Sequence, residues 1–450
     1  MTIEAENHLK FKSIDIIFLL LLYQLYWITV YYKFPNEIKY IIVGISFLYQ
    51  FLSIERAIAI LLMAIFIPFF SGYIGEGYFR LEKIYSFVFL IKYFSIPNKQ
   101  KILVDKRLIF GFIIIFILII FQFLFLIKYP DTSEVPFTIK NAISRVYDFF
   151  IILFIYLSLF KKIEYAYLTK YFITLIVIFG VSMSISLLQM YIDNPQELYL
   201  STSTGIMWNN EYFGHKNAWG CFYALFCLVI FYFVVNKNID YINTFRFCFW
   251  FLYFIGFILL ACSLSRRAMF VFIFGTLYLL RKYMNIKALA ILIILLTSLI
   301  IFQPDFLYQR YKSLLTADSI SDIQESSAGK LRENAIQQLI HRISIVPKFF
   351  TEQWEYNYSE GFYGQLLFRT GIIGLLFYLT YIISLIFVKN KLYSDLYNML
   401  IFYFIFAGYG YRHAFISDIY GNISYIHVLV MFFIFLNLIS LISSKNELNT

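Results

Sequence analysis

Charged residues are scarce in this chain. Of its 450 residues, 14% are Asp, Glu, Lys or Arg, whereas 61% are hydrophobic and 22% are aromatic, and the mean hydropathy is +0.73. A soluble domain carries about 25% charged residues because its surface faces water. The composition therefore excludes a large soluble domain. It predicts an all-α, polytopic integral membrane protein, with residues 1–450 forming a single transmembrane domain.

Cysteine is also rare, with 4 residues in the chain. All of them lie within or at the end of apolar runs, and none has the spacing of metal ligands, so we interpret them as small apolar side chains. The sequence thus predicts neither a metal site nor another cofactor. The cysteines are Cys221, Cys227, Cys248 and Cys262.

Acidic residues are outnumbered by basic ones, 27 against 37, which gives a formal net charge of +10. Such an excess can indicate nucleic-acid binding. Here, however, the lysines and arginines lie in short connectors between apolar runs, where basic residues set the orientation of membrane helices. Nucleic acid is therefore excluded as a partner, and membrane lipids are expected instead.

Apolar runs of spanning length recur along the whole chain. We predict about fourteen transmembrane helices of roughly 20 residues each, or about twelve if the second and third runs form one re-entrant pair. No internal repeat and no matched pair of interrupted runs is found. The predicted spans are 14–32, 38–53, 57–73, 81–97, 108–128, 142–160, 168–192, 217–236, 245–262, 267–283, 286–303, 363–388, 394–411 and 424–443.

The basic connectors also predict an orientation. With the N-terminus in the cytoplasm, nearly every inner connector contains Lys or Arg, as the positive-inside rule requires. Both termini are therefore predicted to be cytoplasmic. A few basic residues fall on the outer side, against this rule, and they mark candidate functional positions. They are Lys216, Arg266, Arg267 and Arg412.

The longest polar interval, residues 304–360, is predicted to be an extracytoplasmic loop that carries amphipathic helices. Apolar residues recur at helical spacing from Leu331 to Val346. Arg332 falls on the same face as this apolar stripe, and a cation there requires an anion. The anion is either a lipid headgroup, a nearby carboxylate or a charged substrate.

Two polar stretches come directly before predicted helices. Gly205–Ala218 contains several glycines and asparagines, and the free amides at a helix start favour an anion; the alternative is an interfacial loop with an Asn cap. Ser263–Ala268 puts Arg266 and Arg267 at a helix start, where the helix dipole disfavours cations unless something negative joins them. A bound phosphate would supply that negative charge.

Four short motifs follow one another in the second half of the chain. They are Gly214-His215-Lys216-Asn217, Ser263-Leu264-Ser265-Arg266-Arg267, Arg332-Glu333-Asn334-Ala335, and Gly371-Ile372-Ile373-Gly374-Leu375-Leu376 at the opening of the next span. In this order they resemble the bacterial O-antigen polymerase and O-antigen ligase superfamily. The resemblance covers roughly residues 200 to 390 of the chain, and the flanking spans are similar only in being hydrophobic.

The resemblance implies a metal-independent glycosyltransferase at the outer face of the bacterial inner membrane. Such enzymes transfer a saccharide from undecaprenyl diphosphate to an acceptor hydroxyl. Polymerases join two lipid-linked repeat units of O-antigen, capsule or exopolysaccharide, whereas ligases transfer a finished glycan to the lipid A core. Ligase-like members have a His-Asn pair where this chain has Glu360-Gly361, which favours the polymerase. A chain-length regulator and a flippase of the same pathway are the expected protein partners.

The residue types suit this reaction, because guanidinium groups stabilise the charge that accumulates on a departing diphosphate. Catalytic candidates are Arg266, Arg267, Arg332 and Glu360, with Glu360 ranked first as the general base. Alternatively, Glu360 is a solvated carboxylate at a helix start, and Arg412 is an interfacial anchor. The candidates for substrate binding are Glu211, His215, Lys216, Asn217 and Arg412, and Glu211 and His215 are further candidates for the base.

Two alternatives remain open. One is the O-antigen ligase. The other, from a different class, is a lipid-linked-sugar flippase or transporter, which would be equally apolar and basic. A transporter is expected to have internal repeats and charged or broken helices near the bilayer midplane, and the sequence contains neither a repeat nor a matched pair of interrupted spans.

Overall fold

The computed structural model describes most of the predicted helical regions and part of the polar ones. The described residues are 13–66, 73–74, 79–97, 165–193, 206–208, 211–214, 216–235, 246–262, 265–283, 343–347, 362–386 and 394–410, with isolated positions within 110–128 and 147–159 and at 290 and 350.

The described chain is helical, with two short antiparallel pairs of strands. The elements are α1 Ser13–Tyr31, α2 Asn36–Leu52, α3 Ile54–Phe66, β1 Tyr73–Ile74, β2 Phe79–Arg80, α4 Leu81–Ser95, α5 Tyr165–Asp193, β3 Ile206–Trp208, β4 Glu211–Gly214, α6 Lys216–Val235, α7 Arg246–Cys262, α8 Arg266–Tyr283, α9 Phe362–Ile386 and α10 Ser394–Gly410.

These helices coincide with predicted apolar runs, usually to within three residues at each end. The described part of α3 reaches Phe66, and residues 67–72 of the run predicted to end at residue 73 lie outside the described residues. The predicted spans 286–303, apart from residue 290, and 424–443 lie outside the described residues.

The hairpin of β3 and β4 falls on the polar stretch that the sequence analysis treated as an irregular approach to a helix. Its strands pair antiparallel, with Trp208 opposite Glu211. Asn209 and Asn210 connect them, and asparagine tolerates the left-handed backbone that a two-residue hairpin turn needs. Asn-Asn between aromatic and β-branched residues was therefore an available hairpin signal.

Helix α6 lies at the centre of the fold. The described side chains from Cys221 to Val234 are at most 4% exposed, on every face of the helix. A helix that is apolar on all sides must be surrounded by other elements, and α6 contacts α5, α7, α8 and α10. Cys227 is buried here, whereas Cys248 in α7 is exposed.

Three neighbours of α6 each turn a glycine toward it. A Cβ atom added to Gly180 of α5 would lie 1.9 Å from the ring of Phe226, and one added to Gly275 of α8 would lie 2.8 Å from Leu228. Gly256 of α7 is similarly close to Cys227 and Phe226. These glycines allow α5, α7 and α8 to approach the large side chains of α6. Because the core is closely packed, a larger residue at any of these three positions would collide with α6.

Large apolar side chains also lie on the outside of the helices. In α1, Ile14, Ile17, Leu21 and Leu25 recur at helical spacing and are 53–68% exposed. Among the described residues, one helical segment, Ile14–Tyr31, is long and apolar enough to cross a membrane, and shorter apolar segments occur in α5, α6, α7, α8 and α9. The predicted number of spans thus stays a prediction.

Candidate functional site

The structure locates the backbone of five of the nine predicted site residues. Lys216 and Asn217 are the first two residues of α6, and Glu211 begins β4. Arg266 and Arg267 are the first two residues of α8. The other predicted site residues lie outside the described part of the chain: His215, Arg332, Glu360 and Arg412.

The register of α1 and α5 shows which of their ends lie together. Tyr23 and Ser186 share a hydrogen bond of 2.6 Å, Trp27 Nε1–H donates to Gln189 Oε1 at 3.0 Å, and the Tyr31 hydroxyl donates to the Asp193 carboxylate. Each pair is 162 or 163 residues apart. The two helices are therefore parallel, and their C-terminal ends lie side by side.

Helix α6 runs antiparallel to α5. Phe226 packs on Gly180, and the Tyr223 hydroxyl lies near Ser184, so the α6 sequence descends as the α5 sequence rises. Lys216 lies seven residues from Tyr223 toward the N-terminus of α6, a rise of about 10 Å. Asp193 lies nine residues from Ser184 toward the C-terminus of α5, which is the same direction in space. The start of α6 is therefore beside the end of α5.

Helices α7 and α8 bring Arg266 to the same end. Cys227 of α6 contacts the Tyr253 carbonyl of α7, and Phe231 packs on Trp250, so these helices are antiparallel. Only three residues separate α7 from α8, which reverses direction again. The contact between Leu228 and Gly275 then puts Arg266 within about one turn of the level of Lys216.

We call this region the Lys216 end: the C-terminal ends of α1 and α5, and the N-terminal ends of α6 and α8. It brings together two predicted motifs that are about fifty residues apart in the chain, with Lys216 in one and Arg266 and Arg267 in the other. Their side chains are not described, so the shared feature is the position of the two helix starts.

The N-cap of α8 is a serine. The Ser265 side chain is 2% exposed, and its Oγ accepts the N–H of Ala268 at 3.4 Å. Arg266 and Arg267 thus occupy the first two helical positions, and the first turn contains no acidic residue. The first turn of α6, which begins with Lys216, has none either. Both helices start with positive charge where the dipole and the free N–H groups favour an anion.

The fourth motif lies inside α9, where Gly371 separates two helical segments, so the motif begins the second segment and not the whole of α9. Gly371 interrupts the helix with φ +66° and ψ −171°. The N–H groups of Ile372 and Ile373 donate to the carbonyls of Ser344 and Ile345 at 3.0 and 3.1 Å. A Cβ on Gly371 would lie 2.5 Å from the Val346 carbonyl oxygen. The motif therefore breaks the helix and receives a backbone segment from the long loop.

The second glycine of the motif, Gly374, leaves room for a side chain that precedes the break. A Cβ on Gly374 would lie 1.9 Å from Oγ1 of Thr370, which donates to the Leu366 carbonyl at 2.6 Å. The inserted segment also corrects the predicted amphipathic helix over 331–346. Its last residues, Ile343–Val346, have irregular backbone, and the carbonyls of Ser344 and Ile345 among them accept hydrogen bonds from α9. The helical prediction for 331–342 lies outside the described residues.

Sequence reasoning missed a buried ion pair at the opposite end of α1. The Arg56 guanidinium donates to both oxygens of Asp15, from Nε at 2.8 Å and from one terminal nitrogen at 3.3 Å. The Tyr49 hydroxyl also donates to Asp15 at 2.7 Å. Asp15 is 2% exposed and Arg56 14%. The pair joins α1 to α3 and lies about 24 Å along α1 from Tyr31.

No family model, curated protein or solved structure matches this chain. The assignment of function therefore depends on the chain itself. Within the described residues, no group of three or more His, Cys, Asp or Glu side chains lies close enough to hold a metal ion. The assignment depends on one feature of the Lys216 end: two helices start there with basic residues, and neither first turn contains an acidic residue.

Proposed function

We propose that this protein is a polysaccharide polymerase of the bacterial inner membrane that joins oligosaccharide repeat units carried on undecaprenyl diphosphate. The proposal combines the resemblance of the four motifs with the position of two of them at one end of the fold. It assigns the reaction to the Lys216 end, on the outer side of the membrane.

The membrane part of the proposal is supported by the outward-facing side chains of α1. Four aliphatic side chains at helical spacing are more than half exposed. In water, apolar surface of this kind costs about 25 cal/mol per Å². In a bilayer the same surface faces hydrocarbon, which supports a membrane location for a chain with 61% hydrophobic residues.

The observation that carries the catalytic part is the shared position of two helix starts with basic first residues. Lys216 begins α6, and Arg266 and Arg267 begin α8, with no acidic residue in either first turn. A diphosphate satisfies the free N–H groups, the dipoles and the cations together. Among common ligands in this location, the headgroup of a polyprenyl-diphosphate donor has that charge.

In the proposed reaction, an acceptor sugar hydroxyl attacks the anomeric carbon of the donor. A bond forms between that carbon and the acceptor oxygen, and the bond from the carbon to the diphosphate oxygen breaks. The hydroxyl proton passes to a base, for which Glu360 is the first candidate. The negative charge grows on the leaving diphosphate, so the arginines stabilise the transition state more than the bound donor.

The break in α9 is the observation that favours a transporter, because broken helices line substrate sites in many transporters. The sequence analysis found no matched pair of interrupted runs, and Gly371 interrupts one helix. However, the N–H groups of Ile372 and Ile373 bond to the backbone carbonyls of Ser344 and Ile345. They are therefore already occupied within the protein, which favours the polymerase over the transporter.

The test is deletion of the gene followed by gel analysis of the surface glycan. A strain without the polymerase should make a core with one repeat unit or no polymer, whereas a ligase deletion leaves long chains on the lipid carrier. Complementation with Arg266→Ala, Arg267→Ala or Arg332→Ala should not restore the ladder. Normal ladders from all three variants would remove the catalytic proposal.

Arg281 provides the matched control. It is an arginine of the same helix, in its last turn, and its guanidinium lies 4.0 Å from the centre of the Tyr278 ring. Because Arg281 is at the other end of α8, Arg281→Ala should restore a full ladder. Loss of the ladder in that variant too would show that any lost arginine in α8 impairs the protein.

A further inference from the structure

The chain turns sharply between α1 and α2 at the Lys216 end. The Phe34 N–H donates to the Thr29 carbonyl at 2.9 Å, and the Lys33 N–H donates to the Val30 carbonyl at 3.3 Å. This is the pattern of a Schellman motif, in which the penultimate position is usually glycine. Here it is Lys33, with φ +53°. A left-handed lysine costs about 1–2 kcal/mol, so the surrounding contacts hold this turn.

Aromatic rings extend from the core to the surface through this turn. The ring centroids of Trp27 and Tyr31 are 5.0 Å apart, those of Tyr31 and Tyr32 are 5.0 Å apart, and those of Tyr32 and Phe34 are 6.3 Å apart. Trp27 is fully buried, whereas Tyr32 is 57% exposed and Phe34 41% exposed. The rings of Tyr32 and Phe34 are thus exposed at the surface, and they pack in series on the buried rings of Tyr31 and Trp27.

Polar groups of α5 surround the exposed rings. Gln189 accepts a hydrogen bond from Trp27 and donates from Nε2 to the Tyr32 hydroxyl at 3.2 Å. Asp193 is exposed and accepts the Tyr31 hydroxyl. One bond leaves further acceptor positions on the carboxylate, and Tyr32, which accepts from Gln189, keeps its own hydrogen for donation. The surface therefore offers rings, donors and acceptors in one place.

We propose that Tyr32, Phe34, Gln189 and Asp193 form a saccharide-binding subsite. A pyranose ring has apolar C–H faces that stack on aromatic rings, and hydroxyls that both donate to carboxylates and accept from amides and phenols. The groups are held by Trp27 and Tyr31 before any ligand binds, so little ordering is needed on binding. A lipid surface would use the rings but would not need the carboxylate and amide.

This inference rests on the proposed polymerase, for which it defines where the glycan lies. Helix α5 contacts both α1 and α6, so the subsite is beside the start of α6 at the Lys216 end. Neighbouring helix axes are about 8–10 Å apart. A diphosphate bound at the starts of α6 and α8 would leave the attached saccharide free to extend across α5 to Tyr32.

The test measures binding of sugar without polymerisation. The full-length protein is placed in phosphatidylglycerol-containing nanodiscs, and the probe is the oligosaccharide repeat unit released by mild acid from the polysaccharide of the producing strain. Wild type should bind it. Tyr32→Ala and, separately, Gln189→Ala should raise the Kd by about tenfold, as expected for the loss of one or two favourable contacts. Equal binding by wild type and both variants, or no binding by wild type, overturns the subsite.

Tyr40→Ala is the matched control. Tyr40 is a tyrosine near the start of α2 that is 46% exposed. Its substitution by alanine should leave the Kd for the saccharide unchanged if the subsite is specific. An equal loss in that variant contradicts the assignment, since it indicates a general effect of surface tyrosines. Thermal unfolding of each variant confirms that it is folded before its Kd is compared.

Arg266→Ala separates this inference from the proposed function. It should keep wild-type affinity for the released saccharide, which lacks diphosphate, while losing polymer in cells. If the arginine variants polymerise normally but Tyr32→Ala loses sugar binding, the catalytic role of the arginines fails and the subsite stands. If the arginine variants lose polymer and Tyr32→Ala binds sugar as wild type does, the subsite fails alone.

Discussion

Helices α3 and α8 begin in the same way. A buried serine precedes each helix, and its hydroxyl accepts a backbone N–H three residues on: Ser53 accepts from Arg56 at 3.2 Å, and Ser265 accepts from Ala268 at 3.4 Å. Each first turn also contains arginine, which the helix dipole disfavours at this position. Both starts therefore place unfavourable positive charge near a helix N-terminus, although the first turn of α3 also contains Glu55 and that of α8 contains no acidic residue.

The two helices resolve that difficulty differently. In α3, the charge of Arg56 is paired with Asp15 from another helix, through two hydrogen bonds. In α8, the first turn has Arg266 and Arg267 and no acidic residue. The first arrangement is complete within the protein and links α1 to α3. In α8 the side chains of Arg266 and Arg267 lie outside the described residues, and the proposed function assigns their negative partner to a ligand.

The largest expected effect is on the internally paired start. Asp15→Ala removes the partner of Arg56, whose side chain is 14% exposed, and an uncompensated buried charge costs about 3–5 kcal/mol. The midpoint of thermal unfolding of the purified protein should fall accordingly. Replacing both residues, with Asp15→Leu and Arg56→Leu, should recover most of the loss. An unchanged midpoint in Asp15→Ala would show that the pair contributes nothing to folding.

At α8, activity and stability should separate. Arg266→Ala should lower the rate of polymerisation about 10²–10³-fold, as the loss of one stabilising group on a developing anion does. The free energy of unfolding should change by less than about 1 kcal/mol, in the stabilising direction, because an unfavourable charge leaves the helix start. Polymer formation in membranes measures the rate, and thermal unfolding measures the stability. A destabilisation as large as that of Asp15→Ala would mean that Arg266 is a structural partner, and the contrast with α3 would fail.

The second half of α9 begins in a third way. The first N–H groups after Gly371 donate to backbone carbonyls of another segment. Gly371→Ala puts a side chain at φ +66° and within 2.5 Å of the Val346 oxygen, so it should lower stability by about 2 kcal/mol or more. Gly44→Ala is the control. Gly44 lies within α2 with no atom within 4 Å of an added Cβ, and that variant should gain about 0.5–1 kcal/mol. Equal effects on the thermal midpoint would contradict the tight insertion.

The helices of this fold were predictable, but their partners were not. Apolar runs of spanning length define α1, α6 and α7 because each helix is long and bounded by polar residues. Asp15 and Arg56 are 41 residues apart, and no local pattern joins them. Likewise, the break at Gly371 exists because Ser344–Val346 inserts there, which is a contact between distant parts of the chain. The approach of the α6 and α8 starts follows from packing on three glycines, not from either motif alone.

The smallest expected effect tests the ligand directly. If the α8 start binds diphosphate, inorganic diphosphate should stabilise the folded protein by about 0.4 kcal/mol when its free concentration equals its Kd, and by more above it. Sodium chloride at the same ionic strength controls for general screening. The rise in thermal midpoint should disappear in the variant carrying both Arg266→Ala and Arg267→Ala and persist in Arg281→Ala. An equal rise in the double variant would place the anion elsewhere and contradict the proposed role of the α8 start.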